Sequence, residues 1–129
     1  MPQTDAVTVG AEIVSPDGSA RWRIAGTNVQ WSVDGGATWE TQRTGSDAPL
    51  AAGASPSPGV CWLVGARGTV LVSTDGRTWR LVPFPEMTDL VTIHATDDKT
   101  ATVSSSDGRT FRTSDGGRTW TAGQGRSRL

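Results

Sequence analysis

One short pattern recurs along the chain, and it constrains everything else. It reads Ser32-Val33-Asp34-Gly35-Gly36-Ala37-Thr38-Trp39 at its first occurrence. It returns as Ser73-Thr74-Asp75-Gly76-Arg77-Thr78-Trp79, one residue shorter, and as Thr113-Ser114-Asp115-Gly116-Gly117-Arg118-Thr119-Trp120. The aspartates stand 41 and 40 residues apart. A steady period of this length marks a repeat architecture, in which each unit is one supersecondary element stacked on its neighbours. A weaker echo, Ser106-Asp107-Gly108-Arg109-Thr110-Phe111, lies eight residues before the third copy and breaks the period.

Each copy sits between β-like stretches. Val29–Trp31, Thr69–Val72 and Thr110–Arg112 precede the three copies; Trp39–Thr41, Trp79–Val82 and Trp120–Thr121 follow them. Asp-Gly between such stretches predicts a hairpin turn. Glycine supplies positive φ, and an aspartate accepts hydrogen bonds from backbone N–H groups just downstream. Further upstream each unit offers a strand at Arg21–Ile24, Cys61–Val64 and Thr100–Val103, and another at Val7–Val14, Leu50–Ala54 and Leu90–Ala95. That makes four strands per unit and no amphipathic helix period. The expectation is all-β: three four-stranded antiparallel propeller blades at about residues 7–47, 48–88 and 89–122, one domain over 7–122, with tails at 1–6 and 123–129.

Closed propellers carry about four to eight blades. Three blades make an open arc, and a stacked repeat buries its core only against neighbours. Both ends of the arc are therefore expected to expose an apolar blade face. The simplest way to cover both is a twofold homodimer forming a six-bladed ring. A piece of a longer protein and a small non-propeller β fold are the alternatives.

The repeated segments resemble the BNR/Asp-box motif, Ser-x-Asp-x-Gly-x-Thr-Trp, which in that family forms the hairpin between the third and fourth strands of a propeller blade. The stretch from Gly65 to Gly76 is similar to the photosystem II stability/assembly factor-like branch of these propellers. The resemblance covers about residues 20–121. It implies an assembly or scaffold role with an as yet unnamed protein partner. It also implies an extracytoplasmic or periplasmic setting as part of a longer protein. The Asp-box is a folding device in this family. Ser32, Asp34, Gly36, Thr38, Trp39, Ser73, Asp75, Gly76, Thr78, Trp79, Thr113, Asp115, Gly117, Thr119 and Trp120 are accordingly expected to be structural, with no catalytic residue among them.

The enzyme readings are weak. Sialidases, the best-known enzymes with Asp-boxes, resemble six-bladed propellers with a tyrosine nucleophile, and this chain has no Tyr. A glycosidase needs two carboxylates across a sugar. The glutamates are only Glu12, Glu40 and Glu86, and half of the aspartates lie in Asp-Gly turns. His94 has no second histidine to share a metal, and Asp97-Asp98 lacks the ligand spacing of calcium loops. The lone Cys61 adjoins Trp62 in an apolar strand and reads as a buried thiol. No cofactor is expected. A net charge of −1 gives no electrostatic reason to grip nucleic acid. No apolar run is long enough for direct membrane insertion. Trp22 and Trp62 occupy matching positions in units 1 and 2, where unit 3 has Val103, and inter-blade packing is expected of both. Trp31 matches Val72 and Arg112 and is the candidate ligand contact, to protein or to carbohydrate. The function expected is a non-enzymatic protein-interaction module, with a lectin-like carbohydrate binder as the alternative and a glycosidase-type fragment behind it.

Overall fold

The structure, a computed structural model, describes residues 12–45, 48–57, 59–76 and 78–123. The expected strand residues before Glu12, the tail residues 1–6 and 124–129, and Arg77 lie outside the described residues. Twelve strands form three four-stranded sheets. Blade 1 is β1 (Glu12–Val14), β2 (Arg21–Ala25), β3 (Asn28–Ser32) and β4 (Glu40–Gln42). Blade 2 is β5 (Leu50–Ser57), β6 (Val60–Gly65), β7 (Thr69–Ser73) and β8 (Arg80–Leu81). Blade 3 is β9 (Leu90–Ala95), β10 (Ala101–Ser105), β11 (Thr110–Thr113) and β12 (Thr121–Gly123). Each sheet is an antiparallel meander in chain order. The repeat read from the sequence is therefore one blade per period.

The burial pattern says how the blades stack. In β6, successive side chains point to opposite faces, yet every residue from Cys61 to Gly65 is buried. Cys61 and Leu63 join Ile13, Trp22, Ile24 and Val29 in the core between blades 1 and 2. Trp62 and Val64 join Val70, Val72, Val103 and Phe111 in the core between blades 2 and 3. Blade 2 is thus buried on both faces, which explains its continuous apolar run. Its inner strand carries Gly53 for a steric reason. A Cβ there would lie 2.7 Å from Leu63 Cδ2 and 2.8 Å from Ile13 Cγ1.

Tryptophans stitch both junctions. Trp22 and Trp62 are fully buried. Trp22 donates its Nε1–H forward to the carbonyl of Gly76 at 3.1 Å, and Trp62 donates forward to the carbonyl of Asp97 at 3.0 Å. The motif tryptophans reach backward. Trp79 donates to Gln42 Oε1 at 2.8 Å, and Trp120 donates to the carbonyl of Pro83 at 2.9 Å. Each junction therefore has one indole bond in each direction. Trp39 belongs to the first blade and turns its Nε1–H onto its own Gly36 carbonyl at 3.0 Å.

The end faces differ from expectation. In blade 1 the residues facing away from blade 2 include Glu12, Arg21, Arg23, Gln30 and Thr41, as the strand register requires. Arg21 pairs with Glu12 at 3.0 Å, Arg23 donates to Gln30 Oε1 at 2.6 Å, and the Arg23 guanidinium lies 4.0 Å over the Trp39 ring. In blade 3 the outward residues include Thr92, His94, Thr102, Ser104, Thr110, Arg112 and Thr121. Among the described residues, the outward positions of these sheets are mostly charged, hydroxyl or amide side chains, with Val14 an exposed aliphatic among them. The described faces therefore differ from the expected apolar ends and give little hydrophobic drive for a second copy to complete a six-bladed ring.

Two outcomes follow. The chain is expected to run as a single copy at micromolar concentration, checked by light scattering coupled to size exclusion. Trp62→Phe, which orphans the Asp97 carbonyl across a junction, is expected to cost about 2 kcal/mol. Trp39→Phe, which affects only its own turn, is expected to cost under about 1 kcal/mol, both read by urea denaturation.

Candidate functional site

A meander places its connections at two opposite ends. The β1–β2 and β3–β4 turns, with their counterparts in blades 2 and 3, occupy one end. The β2–β3 turns and the connections between blades occupy the other. All three Asp-boxes lie at the first end, between the third and fourth strands.

Each box is closed by its own side chains. Ser32 Oγ–H donates to Asp34 Oδ1 at 2.8 Å and accepts Gly36 N–H at 2.9 Å. Asp34 Oδ1 also accepts Thr38 N–H at 2.9 Å, and its Oδ2 accepts the Thr38 hydroxyl. Thr113, Asp115, Gly117 and Thr119 repeat the set at 2.6–3.0 Å. The second box is one residue shorter and keeps the pattern. Gly76 N–H meets Ser73 Oγ at 2.8 Å, and Thr78 N–H meets Asp75 Oδ1 at 2.7 Å, each one residue nearer in sequence. The longer boxes need two consecutive left-handed glycines, Gly35-Gly36 and Gly116-Gly117, whereas Gly76 has φ +79° in the short one.

These bonds hold the aspartates ionised. The Thr38 hydroxyl, then Thr38 N–H and the Ser32 hydroxyl, lower Asp34 to about 2. The Thr119 hydroxyl, with Thr119 N–H and the Thr113 hydroxyl, holds Asp115 well below the usual carboxylate range. A carboxylate engaged in this way is turned into its own loop and has no proton to give near neutral pH.

Two smaller turns use the same chemistry, one unread in the sequence and the other the echo before the third box. At the β1–β2 turn, Ser15 Oγ–H donates to Asp17 Oδ1 at 2.9 Å and accepts Ala20 N–H at 3.1 Å. At the β10–β11 turn, Ser105, rather than the Ser106 of the sequence echo, bonds Asp107. The signal is Ser-x-Asp-Gly, present in both places.

Trp31 is half-buried and packs against the core between blades 1 and 2, beside Gly76. His94 is on the outward face of blade 3, and Cys61 is fully buried, which pushes its thiol up. Among the described residues no three His, Cys, Asp or Glu side chains gather to hold a metal ion. No described helix is long and apolar enough to cross a membrane.

The end opposite the boxes is dominated by the connection between β8 and β9. Val82 N–H bonds the Val70 carbonyl at 2.8 Å, and Phe84 packs edge-on to Phe111 and Trp120 at 4.9 and 5.1 Å. Glu86 pairs with Arg109 at 2.8 Å. Asp89 accepts Arg67 N–H at 3.0 Å, and its carbonyl accepts Ser106 N–H at 2.9 Å. Arg67 adopts φ 58°, and the following Gly68 leaves room for the Glu86 carbonyl, which a Cβ would strike. This strap walls an open hollow of about 390 Å³ whose lining includes Arg67, Leu81, Pro83, Phe84, Glu86 and Met87. Met87 is 74% and Leu81 60% exposed, the two most exposed large apolar side chains among those described. Nothing in the sequence flagged this loop, because it is held by tertiary contacts rather than by a motif.

The family model described as photosynthesis system II assembly factor YCF48 matches residues 24–126. Among curated proteins none matches. Among solved structures, the chain is similar to one described as YCF48 bound to D1 peptide, with a TM-score of 0.79 and 24% identity over 90% of this chain and 39% of that one. It is also similar to YCF48 from Cyanidioschyzon merolae, with a TM-score of 0.81 and 21% identity over 94% of this chain and 41% of that one. The chain thus spans about two-fifths of the length of these structures, and the shared feature is the fold.

Acid should loosen the boxes. An unfolded aspartate titrates near ~3.9, above Asp34 and Asp115 in the folded chain. Their stabilisation is complete above that value and is lost as the pH falls toward and through the folded pKa values. The melting temperature is expected to hold level between about pH 7 and 5 and to drop between about pH 4 and 2. In Asp115→Asn it should start lower and drop less, as read by circular dichroism.

Proposed function

This chain belongs to the family of the photosynthesis system II assembly factor YCF48, and from that premise we propose that it is a non-enzymatic propeller-type module that holds a protein segment during assembly of a larger complex. The match over residues 24–126 carries the reading. A related fold is described bound to a D1 peptide, so a peptide-sized segment is the ligand to test first. We place its contact on the strap. Exposed Met87 and Leu81 give an apolar grip, Phe84 backs it from below, and Arg67 and Glu86 offer charges of both signs at its margin. Loops held by a rigid blade stack are where such scaffolds carry recognition.

The lectin alternative needs aromatic faces free to stack on sugars. Here the tryptophans are committed elsewhere. Trp22 and Trp62 are buried, Trp79 and Trp120 bridge blades, Arg23 covers Trp39, and Trp31 packs on a core. The glycosidase alternative needs two available carboxylates. Glu12 and Glu86 are in ion pairs, and Asp34, Asp75 and Asp115 accept hydrogen bonds from their own turns, so Glu40, which shares a hollow with Asp75, faces a carboxylate already engaged in its box.

The test is binding of the D1 peptide to the immobilised chain, with a glycan array beside it. Micromolar binding, weakened about tenfold by Met87→Asp with no change in fold, and a blank array are expected. Absence of peptide binding, or binding indifferent to Met87→Asp, would overturn the placement on the strap.

A further inference from the structure

The two gaps between blades at the Asp-box end are built alike but carry opposite chemistry. In each, the residue after a box tryptophan enters the gap beneath the next box. Blade 1 supplies Glu40, and its hollow of about 340 Å³ also includes Asp75, Arg43 and Gln42. Blade 2 supplies Arg80, and its hollow of about 740 Å³ is joined by Lys99 and Arg118. Lys99 is the single lysine of the chain. The three cations come from three different elements: the start of β8, the β9–β10 turn and the third box.

Their backbones are fixed to one another before any ligand arrives. Gly116 N–H donates to the Lys99 carbonyl at 2.9 Å, tying the β9–β10 turn to the third box. Asp97 Oδ1 accepts Lys99 N–H and Thr100 N–H at 2.8 and 2.6 Å, and the Asp97 carbonyl accepts the Trp62 indole from blade 2. Arg80 Nη2 lies 3.4 Å from the Gly116 carbonyl. Two carboxylates also line the hollow, Asp98 and Asp115; Asp115 is turned into its own box by Thr113 and Thr119 but keeps its charge, so three cations face two anions. The surplus is positive, and the Thr74 and Ser114 hydroxyls add neutral donors.

We infer that the gap between blades 2 and 3 is a second binding site, for an acidic peptide segment, with Arg80, Lys99 and Arg118 receiving its carboxylates. A cleft of this size takes several side chains, and cations on a preformed frame pay little ordering cost. A cleft with a surplus of one sign favours on-rate and selectivity for the opposite charge. A polyphosphate backbone is the poorer match, since the whole chain is net negative and would repel it outside the gap. The site lies at the end opposite the strap, so either can fail alone.

The test uses fluorescein-labelled hexaglutamate, its hexaglutamine counterpart and a single-stranded thymidine hexamer, followed by anisotropy with the full chain in low salt and near physiological salt. Hexaglutamate is expected to bind, to weaken with salt, and to lose about tenfold in affinity in Arg80→Glu and in Lys99→Glu. Arg112→Glu, on the outward face of blade 3, should leave it unchanged, and melting curves check that each variant folds. Equal binding of the thymidine hexamer or of hexaglutamine, or indifference to both charge reversals, would overturn the proposal. A loss in Arg112→Glu equal to that in Arg80→Glu would do the same, by showing attraction to net charge rather than to the gap.

Discussion

An indole N–H buried between two sheets must find an acceptor, and in this chain it finds one on the neighbouring blade. That requirement does more than apolar contact to set how the blades meet. Apolar burial is non-directional, so a Val or Leu face tolerates a sliding neighbour. An orphaned indole N–H costs about 1–3 kcal/mol, so Trp22, Trp62, Trp79 and Trp120 each fix a point of one blade against a named atom of the next. The pattern of tryptophans therefore doubles as a map of junctions. Blade 3 has Val103 where its predecessors have the forward-reaching tryptophan, and blade 1 folds Trp39 back upon itself.

The Asp-box serves that stitching. It is a local device, closed within one turn by side chains that replace the sheet's missing backbone partners. Its tolerance is visible in the second copy, which drops a residue and keeps its serine and aspartate contacts to the backbone. What the box fixes is the direction in which the tryptophan leaves the turn, and from there the indole reaches the preceding blade.

These two features also explain what the sequence disclosed. The repeat period, the hairpin signals and the all-β pattern are local, so the three blades, the twelve strands and the partition of β6 between two cores could be expected from residue order. The Ser15 turn was missed because it is a shorter relative of the box without its Thr-Trp end, whereas the echo at Asp107 was read with Ser106 in place of Ser105. The polar end faces were missed for a different reason. Alternation along a strand shows that one face differs from the other, but it takes the register of Arg21, Arg23, Thr102 and Arg112 against their neighbours to show which face looks outward. The strap was invisible because Phe84, Glu86 and Met87 belong to a connection with no repeat and no motif, held by partners far away in the chain.

Repetition of the scaffold is what frees its variable positions. The boxes and indoles hold each blade in place, and the residue following each box tryptophan differs: Glu40, Arg80 and Thr121. The first two open onto gaps of opposite charge. At the other end, the β8–β9 strap is held by Phe84 and Glu86 and adds an exposed methionine to that base. The recognition proposed for this chain therefore rests on variable positions, beside the motif at Arg80 and Lys99 and at an unspecified position within it at Arg118. The motif's own carboxylates are spent on the fold, and the neighbouring positions, relieved of that work, are the ones left to choose a partner.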